Sequence, residues 1–160
     1  SSSCGVCGKA SIDALHAHFD PVDSDVTVSS ALLRGLPARM RASQTAFERT
    51  GGLHAAALFD ERGELIVLRE DVGRHNAVDK VVGSRVLAGV GTATPVLWVS
   101  GRIGFELAQK AVAAGVRVIV AVGAPSSLAV ELADASGLCM VGFVREDRFV
   151  VYTEPAYVGV

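Results

Sequence analysis

Pro95-Val96-Leu97-Trp98-Val99-Ser100-Gly101-Arg102-Ile103-Gly104 changes character halfway along, from an unbroken apolar run to a small polar turn. Pro95 to Ser100 reads as a strand buried on both faces, because it lacks the alternation of a half-exposed one. The turn opens a helix over Phe105 to Ala114 that stops at Gly115, and Val116 to Val122 is a second buried strand. Downstream, Ser126 or Ser127 caps a helix to about Ala135, and Leu138 to Val144 pairs with Phe149 to Thr153 across Arg145-Glu146-Asp147-Arg148. Upstream, Leu53 to Phe59 and Glu64 to Arg69 form a hairpin around Asp60-Glu61-Arg62-Gly63, followed by a helix over Asn76 to Leu87. The hairpin followed by alternating strands and helices predicts an α/β protein. Its architecture is three-layer α/β/α, with a mixed sheet covered on both faces.

The N-terminal third is helical and polar. A region from about Ser30 to Arg49 ends at Gly51-Gly52, and Pro37 is placed to restart it at a first-turn position. Ser11 is an N-cap for a short helix over Ile12 to His18, and Asp20 to Asp25 is a turn. Residues 1 to 10 read as a mobile arm, leaving 11 to 160 as one domain.

At 160 residues the chain is long enough for one sizeable core. A net charge of −2 gives no reason to expect nucleic acid or an anionic membrane as partner. Among the basic residues only Lys9, Lys80 and Lys110 are not arginine, a bias suited to bidentate phosphate recognition. No apolar run approaches the roughly 18 residues of a membrane span, and no signal peptide is visible. Three cysteines allow at most one internal disulfide, so a reducing cytoplasm is the expected location.

Polar residues gather where the strands end, the usual place for ligands in such sheets. Gly52 and His54 lie at a helix-to-strand junction. Asp71, Arg74, His75 and Asn76 follow the second strand, Ser100 and Arg102 the third, and Ser126 and Ser127 the fourth. Glycine admits an anion to the backbone, helix N-termini offer N–H donors and arginine adds charge, so these turns together resemble a phosphate or nucleotide site. A plainer reading accompanies each: the arginines paired with Glu70, Asp71 or Glu106, the serines as helix caps, and His54 as a core histidine. The turn Phe143-Val144-Arg145-Glu146-Asp147-Arg148 is either a solvated hairpin tip or a clamp for phosphates and a base. Cys139, in an apolar run, reads as an inert buried thiol.

Cys4-Gly5-Val6-Cys7 is the other chemical feature. A zinc site lacks well-spaced partners, since His16 and His18 are separated by one residue. A thioredoxin-type pair should follow a strand and open a long helix, and none is visible here. A third reading is a mobile nucleophile that carries sulfur as a persulfide, with Lys9 modestly favouring the thiolate, and the plain one is an exposed thiol pair without function.

The Cys4-to-Gly8 motif, Thr50-Gly51-Gly52-Leu53-His54, Glu70 through Lys80, Ser100-Gly101-Arg102, Ala124 through Ala129 and Gly142 through Arg145 occur in one order. Together they resemble the formate dehydrogenase accessory protein family, FdhD. That resemblance implies a cytidine-deaminase-like fold and a homodimer. It also implies a cysteine desulfurase as sulfur donor, and Cys4 as persulfide carrier with Cys7 assisting. The acceptor it implies is the molybdenum- or tungsten-bearing bis-molybdopterin guanine dinucleotide cofactor of formate dehydrogenase, held by Phe143 to Arg148, with GDP as an analogue. An N-terminal family segment is expected ahead of Ser1. Zinc deamination is not expected: His54-Ala55-Ala56 lacks the Glu of a His-x-Glu motif, and Ser100-Gly101-Arg102 carries no cysteine. The alternative from the residues alone is a nucleotide- or cofactor-binding module without sulfur chemistry.

Overall fold

The computed structural model describes residues 27–91 and 95–159. The arm over 1 to 10, the helix over Ile12 to His18 and the turn at Asp20 to Asp25 lie outside the described residues, and with them Cys4, Cys7, His16 and His18.

The central sheet has six strands, β2 (His54–Phe59), β3 (Leu65–Asp71), β4 (Val96–Val99), β5 (Val118–Ala121), β6 (Cys139–Gly142) and β7 (Val150–Thr153), in the order β3-β2-β4-β5-β6-β7. β4, β5 and β6 run parallel. β2 is antiparallel to both β3 and β4, and β7 is antiparallel to β6. The hairpin and the alternation expected from sequence are therefore present in one mixed sheet. Period-two side-chain alternation divides the apolar strands between two cores. Leu97, Val99, Ile119 and Met140 face α3 (Arg74–Leu87), α4 (Phe105–Ala113) and α5 (Ser127–Ala135). Val96, Trp98, Val120 and Val141 face α1 (Ser30–Ser43) through Leu33, Leu36 and Met40.

β1 (Val28–Ser29) pairs in parallel with β8 (Val158–Gly159), a two-residue ribbon too short to show a pattern in sequence. The helical region breaks at a different place from the one expected. α1 runs through Pro37, and the interruption falls at Gln44, before α2 (Thr45–Thr50). Glu70 of β3 supplies the reason. Its carboxylate accepts from the N–H groups of Ala46 and Phe47 at 3.0 and 2.8 Å, capping a new first turn. α2 ends as expected at Gly51, whose φ of 66° is the left-handed geometry glycine adopts without strain. α3 begins two residues before the expected start, with Gly73 as N-cap.

Candidate functional site

Three turns meet along the edge of the sheet where β4, β5 and β6 end. The β4–α4 and β5–α5 turns are joined by hydrogen bonds from Gly123 N–H to Gly101 O (3.1 Å), from Ile103 N–H to Ala124 O (3.1 Å) and from Ser126 N–H to Ile103 O (2.9 Å). The end of β6 joins them through Phe143 N–H to Gly123 O at 3.2 Å. Phe143 holds a φ of 53°, unusual for a bulky residue, and its ring is exposed.

α1 and α2 fold over this edge and enclose a cavity of about 680 Å³. Gly52, His54 and Ser100 line it, as do Val144 and Arg145, so it unites five of the residues expected from sequence. Trp98, Phe47, Gln44 and Arg41 also line it and were not expected. Sequence reading places Trp98 in the core, where it is indeed buried at 2% exposure. The available signal was chemical: a tryptophan in an otherwise aliphatic strand needs an acceptor for its indole N–H. Its Nε1 has no partner among the described residues.

His54 opens β2 beside Ser100 at the end of β4. Ala55 N–H donates to Ser100 Oγ at 2.9 Å, and the same oxygen lies 3.4 Å from His54 Nδ1. This contact holds the imidazole against Ser100, and which of the two groups donates is set by the ring's tautomer. A Cβ on Gly101 would stand 3.4 Å from the His54 ring and 3.6 Å from Arg74 Cδ, so glycine leaves room for both side chains.

A smaller pocket of about 230 Å³ adjoins, lined by Phe143, Arg145, Arg148, Phe149 and Val150. Arg145 lines both spaces. Its Nη1 donates to the carbonyls of Val122 and Val144 at 2.8 Å each, which fixes the guanidinium at the boundary between them. Arg148 is exposed and touches Asp147 at 3.5 Å, while Glu146 stands exposed on the same turn, closed by Arg145 N–H to Arg148 O at 2.8 Å.

The remaining expected residues lie elsewhere on the rim. Arg102 is exposed on the β4–α4 turn. Ser126 caps α5, accepting from Ala129 N–H at 3.3 Å, and Ser127 is its exposed first residue. Arg74 Nε and His75 Nε2, at the start of α3, are buried without partners among the described residues. Burial first, and then the neighbouring Arg74 charge, hold His75 below the ordinary histidine value.

Asp71 and Asn76 line a separate cavity of about 740 Å³ on the outer side of β3 and α3. Asp71 accepts from Gly73 N–H (2.9 Å) and from Asn76 Nδ2 (3.0 Å), and pairs with Lys80 at 2.6 Å. Lys80 foremost, then those two donors, hold its carboxyl at about 2. A depressed carboxylate value means the unfolded chain takes up the proton first. This contribution to stability is complete above about pH 4 and is lost as pH falls toward about 2. Asp71→Asn is therefore expected to flatten the fall in urea-unfolding stability over that window. A slope equal to wild type would remove Asp71 as its source.

Cys139 is fully buried in β6, and burial pushes its thiol up to about 12, which makes it the inert group expected. No helix among the described residues is long and apolar enough to cross a membrane.

The fold and site define an α/β protein with a cavity at the C-terminal edge of its parallel strands. The FdhD/NarQ family model matches residues 1–158, and the chain belongs to that family. It is 52% identical over 161 residues to a protein from Mycolicibacterium paratuberculosis named sulfur carrier protein FdhD, covering 99% of this chain and 59% of that one. Proteins of the same name from Streptomyces coelicolor (59% identical, 94% of this chain and 55% of the relative) and Thermoplasma acidophilum (48%, 96% and 55%) are also similar. The chain thus spans somewhat more than half the length of these relatives. A crystal structure of a protein described as a formate dehydrogenase accessory protein, from Desulfotalea psychrophila, superposes with a TM-score of 0.82 at 30% identity. It covers 93% of this chain and 63% of that one.

Proposed function

We propose that this protein carries sulfur for formate dehydrogenase and delivers it to the enzyme's bis-molybdopterin guanine dinucleotide cofactor, with its molybdenum or tungsten, as cargo. The observation that carries the reading is a CxxC pair in a chain whose sheet edge holds two adjoining cavities bridged by Arg145. A carrier needs a nucleophile and a place for a large anionic acceptor, and those two features supply both.

In the loading step the Cys4 thiolate attacks the terminal sulfur of a cysteine desulfurase persulfide. A new S–S bond forms at Cys4, and the donor cysteine leaves as thiolate. For release, the Cys7 thiolate attacks Cys4 Sγ, forming the Cys4–Cys7 disulfide and expelling hydrosulfide. The two thiols supply the electrons that reduce the sulfane sulfur. Phe143, Phe149 and Arg148 form a slot suited to a flat base, and Arg145 stands where a pyrophosphate would cross between the cavities.

Two measurements test the reading. After incubation with desulfurase and cysteine, the reduced full-length protein should gain the mass of one sulfur atom; an unchanged mass would leave only the nucleotide-binding module. Titration of GDP should show Arg145→Ala weakening affinity by about tenfold or more, as expected for loss of a charge-assisted contact. Arg148→Ala should weaken it less, because that side chain is 75% exposed. Unchanged affinity in both variants would remove the clamp.

A further inference from the structure

The sulfur cycle read above ends with Cys4 and Cys7 joined in a disulfide, because the two thiols have reduced the sulfane sulfur to hydrosulfide. A carrier in that state has no thiolate with which to take up the next sulfur. It must regain two electrons before it can load again.

The fold bears on where those electrons come from. The chain has one further cysteine, Cys139. It lies in β6, paired between β5 and β7, and is fully buried in the core that α1 covers. Burial first, and then the Glu154 charge, push its thiol up to about 12. Thiol–disulfide exchange needs a thiolate with access to a disulfide sulfur, and Cys139 has neither the charge nor the access. A single thiol would also stop at a mixed disulfide. The reductant is therefore outside the chain.

The spacing of the pair selects the class of that reductant. A monothiol that attacks Cys4 Sγ remains there as a mixed disulfide, while the freed Cys7 thiolate is only two intervening residues away. Cys7 then acts at high effective concentration and expels the monothiol, which restores the Cys4–Cys7 bond. A dithiol competes with this reversal, since its own second thiol is held equally close to the mixed disulfide.

We propose that the carrier is reset after each delivery by thiol–disulfide exchange with an external dithiol, an inference that rests on the sulfur-carrier reading and extends it. The first thiolate of the reductant attacks Cys4 Sγ, and Cys7 leaves as thiolate. The second thiolate attacks the reductant's own sulfur in the mixed disulfide, and Cys4 leaves as thiolate. The reductant ends as a disulfide, having given up two electrons, and both cysteines are free for the next loading.

The test uses the reduced full-length protein and a desulfurase charged with persulfide and then desalted, so that no free thiol is present. Intact mass should show one sulfur gained and then lost, leaving the protein short of two hydrogens, with a peptide map joining Cys4 to Cys7. That spent protein should not reload from freshly charged desulfurase. Dithiothreitol followed by desalting should restore full loading. Glutathione at the same thiol concentration should restore it at least about tenfold more slowly. Cys139→Ala should follow wild type at every step.

Spent protein that reloads with no thiol added, a disulfide that includes Cys139, a dithiol requirement altered in Cys139→Ala, or glutathione as fast as dithiothreitol overturns the inference. Sulfur that leaves without a disulfide, or stays on Cys4, overturns it as well, and the carrier reading then stands without this reset. A reduced protein that never gains sulfur removes the carrier reading and the reset together.

Discussion

Cys4→Ala is expected to abolish sulfur loading completely, with no residual adduct on the intact protein. The expectation follows from reading Cys7 as the resolving thiol and not the carrier, and Cys139 offers no substitute. Cys139 lies fully buried in β6, and its thiol is pushed up to about 12. At neutral pH it is essentially all thiol, and a donor persulfide has no path to it. Cys7→Ala should give the opposite pattern. The sulfur adduct still forms at Cys4 and outlasts that of the wild type, since the resolving attack is gone. Cys139→Ala should load like wild type. Intact mass after desulfurase treatment, followed by peptide mapping, separates the three variants. An adduct retained in Cys4→Ala, or mapped to Cys139, would remove Cys4 as the carrier.

The sheet was legible in the sequence because its central strands are short apolar runs. Val96–Val99 and Val118–Ala121 are buried on both faces, and a strand covered on both sides shows no alternation. The hairpin was legible through Asp60 and Gly63. Asp60 Oδ1 accepts from Arg62 and Glu64 N–H groups, and Gly63 takes a φ of 78°. The break in the first helical region was not legible. It depends on the Glu70 carboxylate, which lies more than twenty residues away in sequence and caps α2 only once the sheet has formed.

The candidate site divides in the same way. Residues on the strand-end turns, such as His54, Ser100 and Arg145, could be named because topology places strand ends together. The lid over them, with Pro37, Arg41, Gln44 and Phe47, arises from the packing of α1 on the opposite core, which no local pattern encodes. Asp71 and Asn76 show the ambiguity of a local motif. The residue types that suit an anion-binding turn also suit a helix start, and here Asp71 is engaged by Gly73, Asn76 and Lys80.

Gly123→Ala is expected to cause the largest loss of stability of any single methyl addition on the rim. A Cβ there would stand 2.9 Å from Gly101 O, 3.0 Å from Arg102 Cγ and 3.1 Å from Arg102 Cα. Two of those three atoms are backbone, and the turn that carries them is already hydrogen-bonded to Gly123 itself. The β4–α4 turn must therefore move away from the β5–α5 turn, at a cost of about 1–3 kcal/mol by analogy with overpacked sites. For a chain of this size that corresponds to a fall in Tm of about 2–4 °C per kcal/mol. Ser100 sits at the start of the displaced turn and holds His54, so ligand affinity should fall along with stability. Gly52→Ala is the contrasting case on the same rim, since its added methyl comes no nearer than 3.9 Å to Thr50 O. It should melt within about 1 °C of wild type, in keeping with surface substitutions that meet no neighbour. Thermal melts of the two variants side by side decide the matter. Equal melting temperatures would mean that the turns are not held in register by the close approach at Gly123, and that His54 and Ser100 are positioned by the β2–β4 pairing alone.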